Sequence, residues 1–180
     1  MTGTENYNNE NKERTESPDG SDNSRAKARA LKILGNRRYS AHEMEKRLVR
    51  KGENEETAQE TVRWLESMGA VDDVDYADAI VSHYSSKGYG LKRIRDELFK
   101  RGIPRDMWDD AISAIKQEDT DAATREFLRK KLGDDSDKDD QRRALDALCR
   151  RGFCYDDARL AITSYLESVG NTMDNENVEQ

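Results

Sequence analysis

Leu-Val-Arg-Lys-Gly at 48–52 returns as Leu-Phe-Lys-Arg-Gly at 98–102 and as Leu-Cys-Arg-Arg-Gly at 148–152, fifty residues on each time. A fixed period of this length marks a repeated structural unit and constrains the fold more tightly than composition does. With Gly52, Gly102 and Gly152 aligned, Leu48, Leu98 and Leu148 lie four residues before them, and Met44, Ile94 and Ala144 lie eight before. Eleven before come Ala41, Leu91 and Gln141, so two copies carry a clear i, i+3, i+7 apolar stripe and the third a weaker one. That spacing is one face of a helix. Beyond each glycine, Thr61/Val62/Leu65, Ala111/Ile112/Ile115 and Ala161/Ile162/Tyr165 predict a second amphipathic helix.

The ends of these helices read in the same terms. Ser40-Ala41-His42-Glu43 has the form of a capping box, in which each side chain satisfies a free backbone amide. Each repeated glycine stands where a left-handed residue ends a helix. Gly69, Gly133 and Gly170 suit other helix ends, and Pro104 suits the first turn of a helix over 104–117. A further apolar-periodic stretch precedes each pair, at 25–34, 75–84 and 123–132, and the third copy carries an insertion, GDDSDKDD, before its second helix. The reading is therefore all-α: three tandem three-helix modules at 25–70, 72–118 and 120–168. None is large enough to bury much core alone, so they stack into an elongated, curved body.

The formal charge of −7 comes from the ends. Residues 1–24 hold six acids and two bases, and 169–180 hold three acids and no base, leaving 38 − 9 = 29 acids and 31 − 2 = 29 bases between. Both ends are too polar to offset their ordering entropy and read as disordered tails. The sequence shows no secretory signal and no membrane-length apolar run. Cys149 and Cys154 read as buried thiols of a cytoplasmic, monomeric protein.

The paired bases need their own account. Cations in a last helical turn are stabilised by the macrodipole by about 0.3–1 kcal/mol, which suffices for Arg50/Lys51, Lys100/Arg101 and Arg150/Arg151. Yet the face opposite the apolar stripe carries Lys92, Arg93, Asp96 and Lys100 in the second copy, and Arg142, Arg143, Asp146 and Arg150 in the third. Asp96–Lys100 and Asp146–Arg150 are i,i+4 pairs worth about 0.2–0.5 kcal/mol. Lys92/Arg93 and Arg142/Arg143 sit near helix N-termini, where the dipole disfavours cations. An anionic partner, protein or phosphate, accounts for them there. The candidate partner-binding residues are Lys92, Arg93, Lys100, Arg101, Arg142, Arg143, Arg150 and Arg151.

Helix, glycine turn and helix superficially match a DNA-reading helix-turn-helix. However, the second helices open on Glu55/Glu56, Asp106/Asp109/Asp110 and Asp156/Asp157, which repel phosphates, so sequence-specific reading is not expected. Non-specific binding of single-stranded or duplex DNA by the bases stays open. No catalytic centre, metal site or cofactor is expected: His42 and His83 lack ligand spacing, and Gly88-Tyr89-Gly90 lacks a phosphate-loop frame. In DDSDKDD, Asp140 stands where a calcium loop needs glycine. Trp64 and Trp108 lie in phase with core positions.

Residues 72–103, DDVDYADAIVSHYSSKGYGLKRIRDELFKRGI, resemble the central stretch of the RecX family, bacterial regulators of the RecA recombinase. Asp73, Tyr76-Ala77, Gly88-Tyr89-Gly90, Ile94, Leu98 and Gly102-Ile103 carry the resemblance. Phrases over Leu34–Gly52 and Ala144–Phe153 extend it over about residues 27–167. It implies tandem three-helix modules in a protein that binds the groove of the RecA filament and inhibits strand exchange, ATP hydrolysis and co-protease activity, with no enzyme activity or cofactor of its own. Glu53 departs from the pattern, standing where the other copies have Ile103 and Phe153. Losing that apolar contact is expected to loosen the first module. The long acidic N-terminal stretch also lies outside the family pattern.

Overall fold

The computed structural model describes residues 20–35, 37–115, 117–133 and 136–176. The first 19 residues, the last four, and Asp134–Asp135 of the acidic insertion lie outside this set. Among the described residues every regular element is helical. The first module holds α1 (Gly20–Leu34), α2 (Ala41–Arg50) and α3 (Glu55–Ser67). The second holds α4 (Asp73–Ser85), α5 (Leu91–Arg101), a 3₁₀ turn (Arg105–Met107) and α6 (Trp108–Ser113). The third holds α7 (Gln117–Arg129), α8 (Lys138–Arg150) and α9 (Tyr155–Glu176).

Three separate cores follow the repeat. Met44, Leu48 and Leu65 anchor the first, Ile80, Ile94 and Leu98 the second, and Leu128, Leu148 and Ile162 the third. The equivalent leucines Leu48, Leu98 and Leu148 are fully buried, each stabilising by about 1.5–3 kcal/mol. Trp64 and Trp108 pack against the first and second cores, and the Trp108 indole donates to the Ile103 carbonyl at 3.0 Å.

The capping box forms as read: the Ser40 hydroxyl accepts from Glu43 N at 3.0 Å, and Glu43 Oε2 accepts from Ser40 N at 3.4 Å. All three repeated glycines are left-handed, with φ of 95°, 70° and 93°. After each, the next amide bonds back to the repeat-equivalent leucine: Glu53 to Leu48 O, Ile103 to Leu98 O and Phe153 to Leu148 O, at 3.1–3.2 Å. These are Schellman ends, repeated three times.

Several boundaries differ from the sequence reading. α1 starts at Gly20, inside the stretch assigned to the tail, and Asn23 in its first turn donates to Glu60 of α3 at 3.3 Å. Pro104 does not open an α-helix; its extended ψ of 140° leaves the chain to re-enter through the 3₁₀ turn, so the last helix of module two is short. Gly170 does not end α9, which runs on to Glu176, and Gly133 is not left-handed. Glu53 does not loosen its module. It is buried and ion-paired to Arg29 of α1, whose guanidinium also donates to Lys51 O at 3.0 Å.

That pair matters because of how modules meet. The N-terminal end of α2 sits on the C-terminal end of α5: the Ser40 hydroxyl donates to Arg101 O, and the His42 ring lies over Gly102. The N-terminal end of α5 sits likewise on the C-terminal end of α8: Gly90 N donates to Arg151 O at 3.0 Å, and Lys92 N to Gly152 O at 3.1 Å. Orphan amides at one helix start thus meet orphan carbonyls at another helix end, positive dipole end against negative. Among the described residues no further module meets the corresponding end of α2, and Arg29 with Glu53 closes it. Terminal repeats that differ in this way are a general feature of tandem folds.

Candidate partner-binding site

The three middle helices present one register to solvent. At ten, six, three and two residues before the repeated glycine stand His42, Lys46, Val49 and Arg50 on α2; Lys92, Asp96, Phe99 and Lys100 on α5; and Arg142, Asp146, Cys149 and Arg150 on α8. All twelve are exposed. This exposed register of α2, α5 and α8, which meet end to end, is termed the outward stripe; it carries cations near both ends of α5 and of α8.

The eight candidate bases divide by position. Lys92, Arg142 and Arg150 are exposed, and none of their side chains makes a hydrogen bond or ion pair with another described residue. Lys100 is exposed and lies 3.7 Å from Glu97. Arg143 is exposed and pairs with Asp140 at 3.0 Å. The expected pairs Asp96–Lys100 and Asp146–Arg150 do not form.

Arg93, Arg101 and Arg151 belong to the joints instead. Arg101 donates to Glu43 Oε1 at 3.3 Å and to the Tyr76 hydroxyl at 3.1 Å, tying module two to module one. Arg151 donates to Lys87 O at 2.7 Å and Gly88 O at 3.1 Å, at the end of α4. Its guanidinium lies 4.2 Å from the Phe127 ring centre and 4.7 Å from that of Tyr89. Arg93 is half-buried, its backbone against Gly152 and its guanidinium 6.0 Å from the Tyr84 ring.

The sequence reading misplaced Arg93 because it counted Leu91 as core. Leu91 is 43% exposed, and the buried place on that face goes to Glu97. The helix is therefore rotated, so that Arg95 and Phe99 face outward and Arg93 does not. Phe99 and Arg95 were missed for this reason. The one available signal was that Phe99, like Val49 and Cys149, falls outside the apolar stripe. The cysteines also differ from expectation. Both are exposed free thiols, Cys149 on the outward stripe and Cys154 at the start of α9, where its sulfur accepts from Asp157 N at 3.3 Å.

Joint chemistry perturbs two phenols. Burial first, and the Glu43 carboxylate second, hold Tyr76 above its usual 10.0; burial and then Glu97 do the same for Tyr84. Arg101 is held above its ordinary value by Tyr76, Glu43 and Glu97, although burial opposes its charge. In the unfolded chain both phenols ionise first, so the fold loses stability as pH climbs from about 10 through the raised folded values. Ultraviolet titration is expected to show Tyr76 and Tyr84 ionising at higher pH in the folded protein than in denaturant.

Among the described residues no cluster of histidine, cysteine, aspartate or glutamate is arranged to hold a metal ion, and no helix is long and apolar enough to cross a membrane.

Comparison with known proteins gives this architecture a place. The model of the first three-helix domain of RecX matches residues 26–65, and that of the second matches residues 72–112. A regulatory protein RecX of Xanthomonas campestris pv. campestris is 36% identical over 141 residues, covering 77% of this chain and 86% of that protein. The chain belongs to the RecX family. A RecX regulatory protein of Stenotrophomonas maltophilia is 32% identical over 135 residues, covering 74% and 82%. The crystal structure of RecX from Lactobacillus salivarius superposes with a TM-score of 0.69 at 23% identity, over 83% of this chain and 97% of that one. A second RecX crystal structure gives 0.65 at 19% identity, over 82% and 72%. The RecX fold of tandem three-helix units thus extends to this chain, and the joints described above are how this chain connects them.

Proposed function

We propose that this protein binds the RecA recombinase filament in the cytoplasm and inhibits its strand exchange, ATP hydrolysis and co-protease activity, without catalysis of its own. Membership of a family of regulatory proteins supports the role. The observation that supports the surface is the outward register of α2, α5 and α8. Its bases at the −10 and −2 positions are exposed in modules two and three, and only Lys100 of the four has an internal partner, a weak exposed contact. The fold asks little of these side chains beyond the dipole term at Lys100 and Arg150, and they are free to meet acidic surface on the recombinase.

The test is a fourfold reversal, Lys92→Glu, Lys100→Glu, Arg142→Glu and Arg150→Glu. It is expected to lower the potency of RecA ATPase inhibition by about 100-fold or more, since juxtaposed like charges cost several kcal/mol, while far-ultraviolet circular dichroism stays that of the parent. Inhibition at parental potency would reject this surface. Binding of free DNA is measured alongside: a steep salt dependence without any need for recombinase would favour a plain nucleic-acid binder instead.

A further inference from the structure

We infer that Phe99 is the apolar anchor of the outward stripe, seated on binding in an apolar pocket of a protein partner whose rim is acidic. The inference rests on the stripe being the partner-binding face. Phe99 is 65% exposed, on the middle helix of the middle module. It belongs to none of the three cores. Among the described residues its ring makes no aromatic or cation contact within the chain. A polar side chain there would serve the helix equally well, so folding does not account for the ring.

Its surroundings do. Lys92, Arg95 and Lys100 share its exposed face, with Asp96 as the lone acid. Val49 and Cys149 hold the same register in the neighbouring modules, also exposed. Each middle helix thus sets one apolar or thiol side chain beside exposed cations, and in module two that side chain is a large ring, the arrangement in which an aromatic residue carries binding energy inside a polar rim. The excess of bases sets the sign of the partner's rim.

An exposed ring among bases also resembles a platform for stacking nucleobases. Two features favour protein. Asp96 and Asp146 lie in the same stripe and repel a phosphate backbone tracking along it. Val49 and Cys149 have no π-face to continue a stack, whereas any apolar side chain fits a protein pocket.

The experiment compares Phe99→Ala and Phe99→Leu with the parent for binding to recombinase filaments, for thermal stability and for binding to single-stranded DNA alone. Phe99→Ala is expected to melt like the parent, because the ring buries little. It is expected to bind filaments about 30-fold more weakly or worse, as a central anchor does. Phe99→Leu is expected to recover most of that loss, since the pocket asks for apolar volume rather than a ring, and free-DNA binding should not change. Parental filament binding by Phe99→Ala, with the fourfold charge reversal defective, overturns the anchor and leaves the face standing. Parental binding by both variants overturns the face itself. Failure of leucine to rescue, together with weakened free-DNA binding, overturns the protein pocket in favour of base stacking.

Discussion

Gly152→Ala is expected to destabilise the third module and its joint by about 3–5 kcal/mol, while Gly52→Ala at the equivalent position costs only about 1–2 kcal/mol. Both glycines are left-handed to nearly the same degree, with φ of 93° and 95°, so both substitutions carry the same backbone strain. Their surroundings differ. An added Cβ at Gly52 meets nothing within 4 Å, whereas at Gly152 it would lie 2.4 Å from the backbone nitrogen of Arg93. A flexible side chain might have moved aside; backbone at the start of α5 cannot without breaking the bonds from Gly90 N to Arg151 O and from Lys92 N to Gly152 O. The measurement is urea unfolding followed by far-ultraviolet circular dichroism and by tryptophan fluorescence. Trp64 and Trp108 are the only tryptophans, and they report on modules one and two. Gly52→Ala should shift the Trp64 transition modestly. Gly152→Ala should uncouple an early helix-loss phase that the tryptophans do not see. Equal shifts in the two variants would mean that the docking of α5 on α8 contributes nothing.

The glycine comparison also shows what the sequence disclosed. Periodicity sufficed for the helices, their left-handed ends and the buried Leu48, Leu98 and Leu148, because each depends on residues within a few turns of one another. Two things were out of reach. The rotation of α5 depends on Glu97 being held at the buried face near Arg101 and Lys100 while Leu91 is left half-open, and apolar spacing alone assigns those two places the other way round. The joints were invisible for a different reason: Arg101 and Arg151 find their partners 58 and 64 residues away, at positions no local pattern connects. Dipole complementarity at a helix end explained these arginines well enough that nothing called for a second role.

That second role separates adjacent, chemically identical residues. Arg150→Ala is expected to change stability by no more than about 0.5 kcal/mol, because its side chain is exposed and bonds to no other described residue. Arg151→Ala is expected to cost about 2–4 kcal/mol. It strips the donors from Lys87 O and Gly88 O, the carbonyls where α4 ends, and removes the cation lying over Phe127 and Tyr89. Arg151→Lys should restore less than half, since an ammonium reaches one carbonyl but has no planar face to lay on two rings. Thermal melts of the three variants give the stabilities, and filament-binding assays give the complementary order, with Arg150→Ala impaired while folded and Arg151→Ala impaired only as the joint opens. The same division explains why the repeated phrase keeps two bases rather than one. The first is turned outward to solvent, and the second, one residue and 100° further round the helix, is turned inward to hold the preceding module. In the first copy the second base is Lys51, which among the described residues meets no further module, and Arg29 with Glu53 takes that end. Exchange of Lys100 and Arg101 in the second copy should therefore damage the fold, although composition, charge and helix propensity are all conserved by it.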